Sequence, residues 1–589
     1  MEYRWVSKKI ENLNTVKKLA AELSVDDNIA KLLVQRGINN IDEAKYFFRP
    51  DIKNLHDPFL MKDMDKAIER IENAIKNHEK ILIYGDYDVD GTTAVALVYS
   101  FFKQIAGQNS QIDFYIPERY SEGYGISFHG IDYASENNFS LIIALDCGIK
   151  ANEKVDYANS KNVDLIICDH HLPGDVIPAA YAVLDPKRKD CNYPYKELSG
   201  CGVGFKLVQA YAIKNNIDFS TLEKYLDLVT VSIASDIVPI TGENRILAFF
   251  GLKRINNKPR PAIEEILKYS NVKRKYDKEQ INIDEDQQCI FSKDVTINDL
   301  VFLVGPRINA AGRISEGRFA VELLVELNPG KIINLAEVIN VTNTERKQLD
   351  SLATEEALKI IETDSFLKNS KSSVLLNENW HKGIVGIVAS RLTETYYRPT
   401  IVCTKSNGLI TGSARSVKDF DIYAAIDHCS DLLVAFGGHK FAAGISIKPE
   451  NFEAFKIKFE KYVSENLTED MLTPEIEVDL ELNLKDITPK FYRILKQFAP
   501  FGPGNMSPAF MTKQVYDEGF ARVVGLNHLK MSVSEESSPL VHFDAIAFKK
   551  SEYLPLISKG LPFQICYHIE ENNWRGNVSL QINIKDIKM

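Results

Sequence analysis

The chain has no apolar run near the roughly 20 residues needed to span a bilayer. Its first residues, Met1-Glu2-Tyr3-Arg4-Trp5, lack the apolar stretch of a secretory signal. The eight cysteines are scattered, with no CxxC pair and no close repeat. Several, including Cys147 and Cys168, fall inside or at the ends of apolar runs. That placement argues for reduced thiols in a cytoplasmic protein and against a disulfide or zinc-finger framework. A surplus of positive charge is also missing, the formal net charge being −10. A protein that coats DNA through bulk charge would be basic, so any nucleic-acid contact must come from local basic grooves. There is no internal repeat.

What the chain does have is a set of acidic residues that each end or follow a hydrophobic run. Ile81–Tyr84 leads into Gly85-Asp86-Tyr87-Asp88-Val89-Asp90-Gly91, Leu141–Leu145 ends at Asp146, and Leu165–Cys168 ends at Asp169-His170-His171. Leu228–Ile233 leads into Ala234-Ser235-Asp236. Apolar runs of this length, separated by helix-compatible stretches, predict buried parallel strands. Ligands of such sheets gather beyond the carboxyl ends of the strands, where these residues would lie. Carboxylates at Asp86, Asp88, Asp90, Asp146, Asp169 and Asp236 in one crevice would repel one another unless cations neutralised them. With two adjacent imidazoles added, the cluster predicts a site for two divalent metals.

A chain of 589 residues exceeds one core and should divide into about three or four domains. Residues 1–75 predict a helical segment packing on the catalytic domain, amphipathic at Ile29–Arg36 and Met64–Ile75. Alternating strands and helices predict an α/β catalytic domain over 76–330. A polar, mixed-charge interval near 256–294, with Lys273-Arg274-Lys275 and Asp284-Glu285-Asp286, is expected as a surface insertion or disordered loop. Residues 331–365 follow Pro329-Gly330, lack internal proline and glycine, and predict one long connecting helix. A smaller α/β domain follows over 366–455. From 456 to 589 the chain turns to alternating and β-branched runs at Ile476–Leu482, Val541–Phe548 and Val578–Ile584, with 571–577 as the last hairpin loop. A five-stranded barrel of the OB type fits this region, and a sandwich nearly as well.

In Asp86-Tyr87-Asp88-Val89-Asp90 alternate positions carry carboxylates, and a near-extended backbone would turn all three one way. The flanking glycines allow tight turns and leave room for a phosphate. A helix opened by Gly91-Thr92-Thr93 would add backbone donors and a positive dipole end, which suits an anion. Acidic runs alone are usually solvated loops, but this one follows a buried strand and is joined by Asp146, Asp169 and Asp236. Of the two adjacent histidines only one need hold metal; the other could contact the scissile phosphate. Oxygen-rich sites with one or two imidazoles suit Mn²⁺ or Mg²⁺ better than structural zinc. Two such ions about 4 Å apart can activate a water and stabilise the departing oxygen of an in-line displacement at phosphorus.

At these residues the chain resembles the DHH phosphoesterase superfamily, named for the motif that stands here as Asp169-His170-His171. The motif order is similar too: GDYDVDG, LDCG, CDHH, then ASDIVP. Within the superfamily the chain is similar, over nearly its whole length, to the bacterial 5′→3′ exonucleases specific for single strands. The similarity includes NLHDPFLMKDMDKAIERI from Asn54, Pro117-Glu118-Arg119 with Glu122-Gly123-Tyr124-Gly125, PRINAAGR from Pro306, and WHKGIVGIVASR from Trp380. Gly437-Gly438-His439 and Ala442-Ala443-Gly444 belong to it as well. The resemblance implies an α/β protein: a DHH domain with a parallel sheet, a long connecting helix, a smaller α/β DHHA1 domain and a C-terminal β-barrel of OB-fold.

It also implies roles. Asp86, Asp88, Asp90, Asp146, Asp169, His170 and Asp236 become the metal-site candidates, Asp86 the least direct of them, with His171 a catalytic phosphate contact. Arg119, Ser413 and Arg415 would form the pocket for a terminal 5′-phosphate, although Gly412-Ser413-Ala414-Arg415-Ser416 taken alone is an ordinary loop. Arg307, Asn309 and Arg313 resemble the strand-binding segment; a structural arginine network is the other reading of Arg313. His439 would sit on a conformable loop beside the active site, or be a buried structural histidine. Phe501, Phe510, Tyr516 and Trp574 could stack bases, but most aromatics of a small β-domain are core.

The implied activity is two-metal hydrolysis, with Mn²⁺ or Mg²⁺, of single-stranded DNA to 5′-mononucleotides in recombination and repair. The implied setting is a cytoplasmic monomer supplied by single-strand-binding protein and a RecQ-type helicase, with no membrane partner. The alternative is a DHH–DHHA1 phosphodiesterase of short oligoribonucleotides or cyclic dinucleotides, against which the extra C-terminal domain counts. A non-catalytic scaffold, like the DHH-derived component of the eukaryotic replicative helicase, would have lost metal ligands; every acidic motif is intact here.

Overall fold

The structure, a computed structural model, describes every residue except Met1, Gln108, Asn109, 276–288, Ser315, Arg575 and Gly576, and the side chain of Trp574. Asp284-Glu285-Asp286 of the expected insertion and the centre of the last hairpin thus lie outside the described residues, as does any stacking role for Trp574. The chain divides into two units, Asp51–Leu472 and Met1–Pro50 with Thr473–Met589. Among the described residues, no helix is long and apolar enough to cross a membrane.

In the larger unit five parallel strands lie in the order Ile112–Tyr115, Lys80–Gly85, Phe139–Leu145, Asp164–Cys168 and Ala182–Leu184. Side chains alternate between two covered faces, which is why the central runs are apolar throughout. Ile81, Ile83, Leu141 and Leu145 join the helices Val89–Ala106 and Gly200–Lys214 in one core. Leu82, Tyr84, Ile142 and Ala144 pack on the opposite face with Ile131, Ala134 and Ala158. Gly85 pairs with Leu145, Leu145 with Cys168, and Cys168 with Leu184. Four strand ends are therefore level, and each hands the chain to an aspartate.

The expected strand before Asp236 is a helix. Leu226–Ser235 runs for 10 residues, buried on nearly every side, and Asp236 stands at its C-terminal cap. A continuous apolar run has no period, so it fits a buried helix as well as a buried strand. Here packing between the helices Val89–Ala106 and Gly242–Asn257 decides the outcome. Nor is 256–294 simply a surface insertion. Pro261–Lys268 is a helix whose Ala262, Ile263, Ile266 and Leu267 enter the core, hidden in sequence among Glu264, Glu265 and Lys268.

The connecting helix spans Pro329–Thr363. Beyond it, a sheet has the order Leu433–His439, Ala442–Ile447, Leu409–Arg415, Thr400–Ser406, Ser373–Leu376, and only the last pair is parallel. The helix Val385–Tyr396 shares an apolar cluster with the connecting helix through Val385, Val388, Ala389 and Leu392 against Ala353, Ala357 and Ile361. Phe455, Phe459 and Val463 of the helix Phe452–Asn466 close the core of this sheet, so the C-terminal unit starts at Thr473, not at 456.

In the smaller unit the strands Phe510–Asp517, Phe563–Trp574, Asn577–Lys588, Ser538–Ala547 and His528–Glu535 pair in turn, and the last returns to the first. This is a closed barrel, which leaves no open edge. The expected N-terminal segment splits at Pro50: Arg4–Ser7 is a strand pairing in parallel with Glu475–Val478, and three helices share one core with the barrel. The stripe Ile29, Leu32 and Leu33 is buried in that core, as is Phe510. Phe501 packs against it half-buried, and Tyr516 is half-buried on its strand.

Candidate metal centre and phosphate pocket

The DxDxD carboxylates do not share one extended face. Asp86 follows its strand, Asp88 caps the helix Val89–Ala106 by accepting from the Gly91 amide at 3.0 Å, and Asp90 lies within the first turn. Aspartate is a preferred N-cap because its carboxylate satisfies donors that the helix leaves open, so the helix starts before Gly91. Gly91 is required by close approach: a Cβ there would stand 2.4 Å from the Asp86 carbonyl oxygen. Asp90 in turn accepts from the amides of Gly200 and Cys201, each at 2.7 Å, so a second helix N-terminus faces the site. The Ser232 hydroxyl also donates to Asp90, at 2.7 Å.

His170 Nε2 stands at the centre, 3.2 Å from Asp146 Oδ1 and 3.6 Å from carboxylate oxygens of both Asp90 and Asp236. Ligand atoms of Asp90, His170 and Asp236 lie within 4.8 Å of one another, as do those of Asp146, His170 and His171. Asp86 Oδ2, Asp146 Oδ1 and both His170 nitrogens are buried with no hydrogen-bond partner. Two carboxylate charges 4 Å apart repel by roughly 4 kcal/mol at an effective dielectric near 20. Accordingly burial, then neighbouring carboxylates, pushes Asp86, Asp88, Asp146 and Asp236 above the usual carboxylate range. Burial pulls His170 down, which keeps its nitrogens free to act as ligands. Orphaned lone pairs, mutual repulsion and an oxygen-rich donor set fit a pair of divalent cations. Backbone strain collects here too, with Asp146 and Ile237 both at φ +59°.

Asp169, expected among the metal ligands, has both oxygens engaged by donors of the chain itself. Its Oδ2 accepts from the Ile149 amide at 2.9 Å, and its Oδ1 from the His170 amide and from His171 Nδ1, each at 2.7 Å. Burial alone would raise its pKa, but the hydrogen bond and charge of His171 hold it down at about 2. Asp169 in return lifts His171 to about 9 against the opposing effect of burial. His171 is thus an imidazolium at neutral pH, half-exposed, with the Tyr124 hydroxyl 3.4 Å from its Nε2.

Asp185 is a member of this edge that the sequence reading misses. It follows the fifth strand, its Oδ1 accepts from the Lys187 amide at 2.7 Å, and burial pushes its pKa up to about 7. The signal exists, since Ala182-Val183-Leu184-Asp185 repeats the strand-then-aspartate pattern on a very short run. Tyr87 and Tyr124 also line the site, without a sequence signal of their own.

Arginines gather beside the acids. Arg119 lies over the Tyr87 ring at 4.9 Å. Arg313 reaches the Gly383 carbonyl at 3.5 Å, which ties the two α/β domains as a structural network would. Burial, then the charges of Arg119, Arg346 and Arg415, lowers its pKa to about 10. Arg307 donates to the carbonyls of Leu303 at 2.7 Å and Tyr269 at 3.2 Å and to Asn340 Oδ1 at 3.2 Å, all neutral partners. Arg415 donates to Ser413 Oγ at 2.9 Å, and both stand on the strand Leu409–Arg415, not on a loop. A Cβ on Gly386 would come within 3.1 Å of each, so that glycine lets the helix Val385–Tyr396 seat against the pocket. Among the described residues, Arg119, Arg307, Arg313, Arg346 and Arg415 have no carboxylate in ion-pair contact. Asn309 is half-buried on the helix Gly305–Ile314. His439 is exposed at a hairpin end, not buried; its strand partner Ala442 also pairs with Arg415.

A parallel sheet with level carboxylates, a histidine among them and guanidiniums alongside is the arrangement of a DHH phosphoesterase. The DHH family N-terminal domain matches residues 80–233, the DHHA1 domain 369–465 and the RecJ OB domain 478–586. The chain is 34% identical over 587 residues to the single-stranded-DNA-specific exonuclease RecJ of Bacillus subtilis, covering 99% of this chain and 70% of that one. It is 32% identical to RecJ of Escherichia coli K12, covering 95% of each. The crystal structure of RecJ in complex with Mn²⁺ from Thermus thermophilus superposes with a TM-score of 0.81 at 24% identity, covering 100% of this chain and 80% of that one. The chain belongs to the RecJ family of single-stranded-DNA-specific exonucleases.

Proposed function

We propose that this chain is a metal-dependent exonuclease that hydrolyses single-stranded DNA from its 5′ end and releases 5′-mononucleotides. The observation that carries the reading is His170 Nε2 within 3.6 Å of three carboxylates, beside arginines that lack carboxylate partners. The acidic half suits cations and the basic half suits a phosphate chain. Asp86, Asp88, Asp90, Asp146, His170 and Asp236 would hold two Mn²⁺ or Mg²⁺ ions, with Asp169 orienting the loop. Such ions supply Lewis acidity, acidifying a water and offsetting charge on the phosphoryl and leaving oxygens.

The rest falls to the chain's own groups. Arg119, Ser413 and Arg415 grip the terminal 5′-phosphate, which sets which bond reaches the acidic centre. The His171 imidazolium, held by Asp169, contacts the scissile phosphate. Water adds its oxygen to phosphorus, the bond to the 3′-oxygen of the terminal nucleotide breaks, and that oxygen leaves as a hydroxyl. The shortened strand keeps a 5′-phosphate and is again a substrate. The barrel would add contacts along the strand. By resemblance the setting is recombination and repair in the cytoplasm, as a monomer, with single-strand-binding protein and a RecQ-type helicase supplying substrate.

The test uses single-stranded DNA with a 5′-phosphate, Mn²⁺, and a label at each end in turn. Immediate release of the 5′-terminal mononucleotide, with the 3′ label staying on shortening strands, is the expected result. Inert DNA with hydrolysis of dinucleotides would place the chain among phosphodiesterases of short substrates instead.

A further inference from the structure

Asp350 lies within the connecting helix and is fully buried. Its Oδ2 is 2.6 Å from Arg391 Nη2, and Arg346, one turn earlier on the same helix, and Arg313 also bear on its charge. Arg391 belongs to the helix Val385–Tyr396, the element that seats against Ser413 and Arg415 through Gly386. The ion pair therefore crosses the seam between the connecting helix and the helix behind the terminal-phosphate pocket, alongside the Ala353–Ala389 apolar packing.

A buried ion pair is a weak device for stability, because desolvating both charges cancels most of their attraction. What it supplies is a charge held at one place on the seam. The contact is an ion pair without hydrogen-bond geometry, since both Asp350 oxygens are buried with no hydrogen-bond partner, and the Arg391 side chain stays 45% exposed, so its donors remain for an anion. Arg346 Nε is likewise buried without a hydrogen-bond acceptor. Donors held in place before binding lose no further freedom when a phosphate arrives.

We propose that Asp350 is a positioning residue for the terminal-phosphate pocket, fixing Arg391 and, through the helix Val385–Tyr396, the wall formed by Ser413 and Arg415. The inference rests on reading Arg119, Ser413 and Arg415 as that pocket.

The test compares the full chain with Asp350→Asn, Arg391→Gln and the double variant, with Mn²⁺, on three substrates. These are 5′-phosphorylated single-stranded DNA, the same strand with a 5′-hydroxyl, and bis(4-nitrophenyl) phosphate, which is too small to need the pocket. Loss of one placed charge contact should raise KM for the phosphorylated strand about tenfold or more. The hydroxyl strand and the small diester should stay within about twofold, and the double variant should be no worse than either single one. Equal losses on all three substrates would mean a merely structural bridge and overturn the proposal. So would an unchanged preference for the 5′-phosphate. Arg391→Gln, at a half-exposed position, keeps the test decisive where Asp350→Asn does not fold. A native chain with no preference for a 5′-phosphate would instead overturn the pocket itself, and this inference with it.

Discussion

His170 Nε2 and Asp146 Oδ1 stand 3.2 Å apart, yet neither has a hydrogen-bond partner. Their nearness follows from sheet register: Leu145 pairs with Cys168, so the residues that follow the two strands meet at one edge. Two buried polar atoms left facing each other cost free energy unless a third group joins them. A divalent cation between them is that group, and the prediction is direct. Asp146→Asn should lower Mn²⁺-dependent hydrolysis by at least about 10²-fold, as loss of one charge-stabilising group does. In EDTA the same variant should melt higher than the native chain, because a repelled carboxylate is gone. Native-like activity would remove Asp146 from the site.

Metal-free stability should fall as pH rises. Asp185 titrates near 3.9 when unfolded and near 7 in the fold, so the folded state holds a proton that the unfolded state has shed. By linkage its contribution is complete below about pH 4 and is lost as pH climbs through 7. Asp86, Asp88, Asp146 and Asp236, all raised, act in the same sense. His171, lifted to about 9 by Asp169, adds stability that is full below about 6.5 and fades through 9. Asp169, held near 2, is constant over this range. Melting in EDTA should therefore drop steadily from pH 5 to 9, while the increment on adding Mn²⁺ grows. A metal-free melting temperature that rises over that interval would contradict the assignment.

Arg119 tests the basic half of the site. Its guanidinium lies over the Tyr87 ring with no carboxylate to compete for it. Arg119→Gln should raise KM for 5′-phosphorylated DNA about 10- to 100-fold, with kcat changed much less. Tyr87→Leu, which removes the ring but not the charge, should cost only about two- to fivefold. Steady-state kinetics on phosphorylated and hydroxyl-ended strands would separate the two. Equal effects on both ends would mean that Arg119 does not read the phosphate.

The sequence is most legible where its pattern is strongest. Strands ending at Gly85, Leu145 and Cys168 combine apolar runs with following acids, and three aspartates can be placed from that alone. The same logic misreads Leu226–Ser235, because a run without polar residues carries no period. Asp236 reaches the site regardless, from a helix cap. Asp185 escapes notice because its strand is only 3 residues long. Asp350 and Arg391 have no local signal at all: 41 positions separate them, and only the packing of two helices brings them together. The destination of residues 1–50 is hidden for a similar reason. An amphipathic stripe such as Ile29, Leu32 and Leu33 says that a helix has a partner, not which one.

Gly200 gives the sharpest separation of site from fold. It begins the helix Gly200–Lys214, where alanine is the better helix former by about 1 kcal/mol. A Cβ there would nevertheless stand 2.6 Å from both Asp146 Cβ and Asp146 Oδ1, closer than real atoms approach. Because the clash includes Asp146 Cβ, the carboxylate cannot simply rotate aside; the strand end or the helix start must shift. The Gly200 amide also donates to Asp90 at 2.7 Å, so a shift disturbs two carboxylates at once. Gly200→Ala should therefore lose at least about 10²-fold in Mn²⁺-dependent hydrolysis and most of its thermal response to Mn²⁺. Its melting in EDTA should stay within a few degrees of the native chain, the helix gain offsetting local strain. Calorimetry with and without Mn²⁺ reads stability and metal response together, and a hydrolysis assay on the same sample reads the rate. A variant with native activity and a native metal response would show that Asp146 tolerates displacement and does not need its place beside His170.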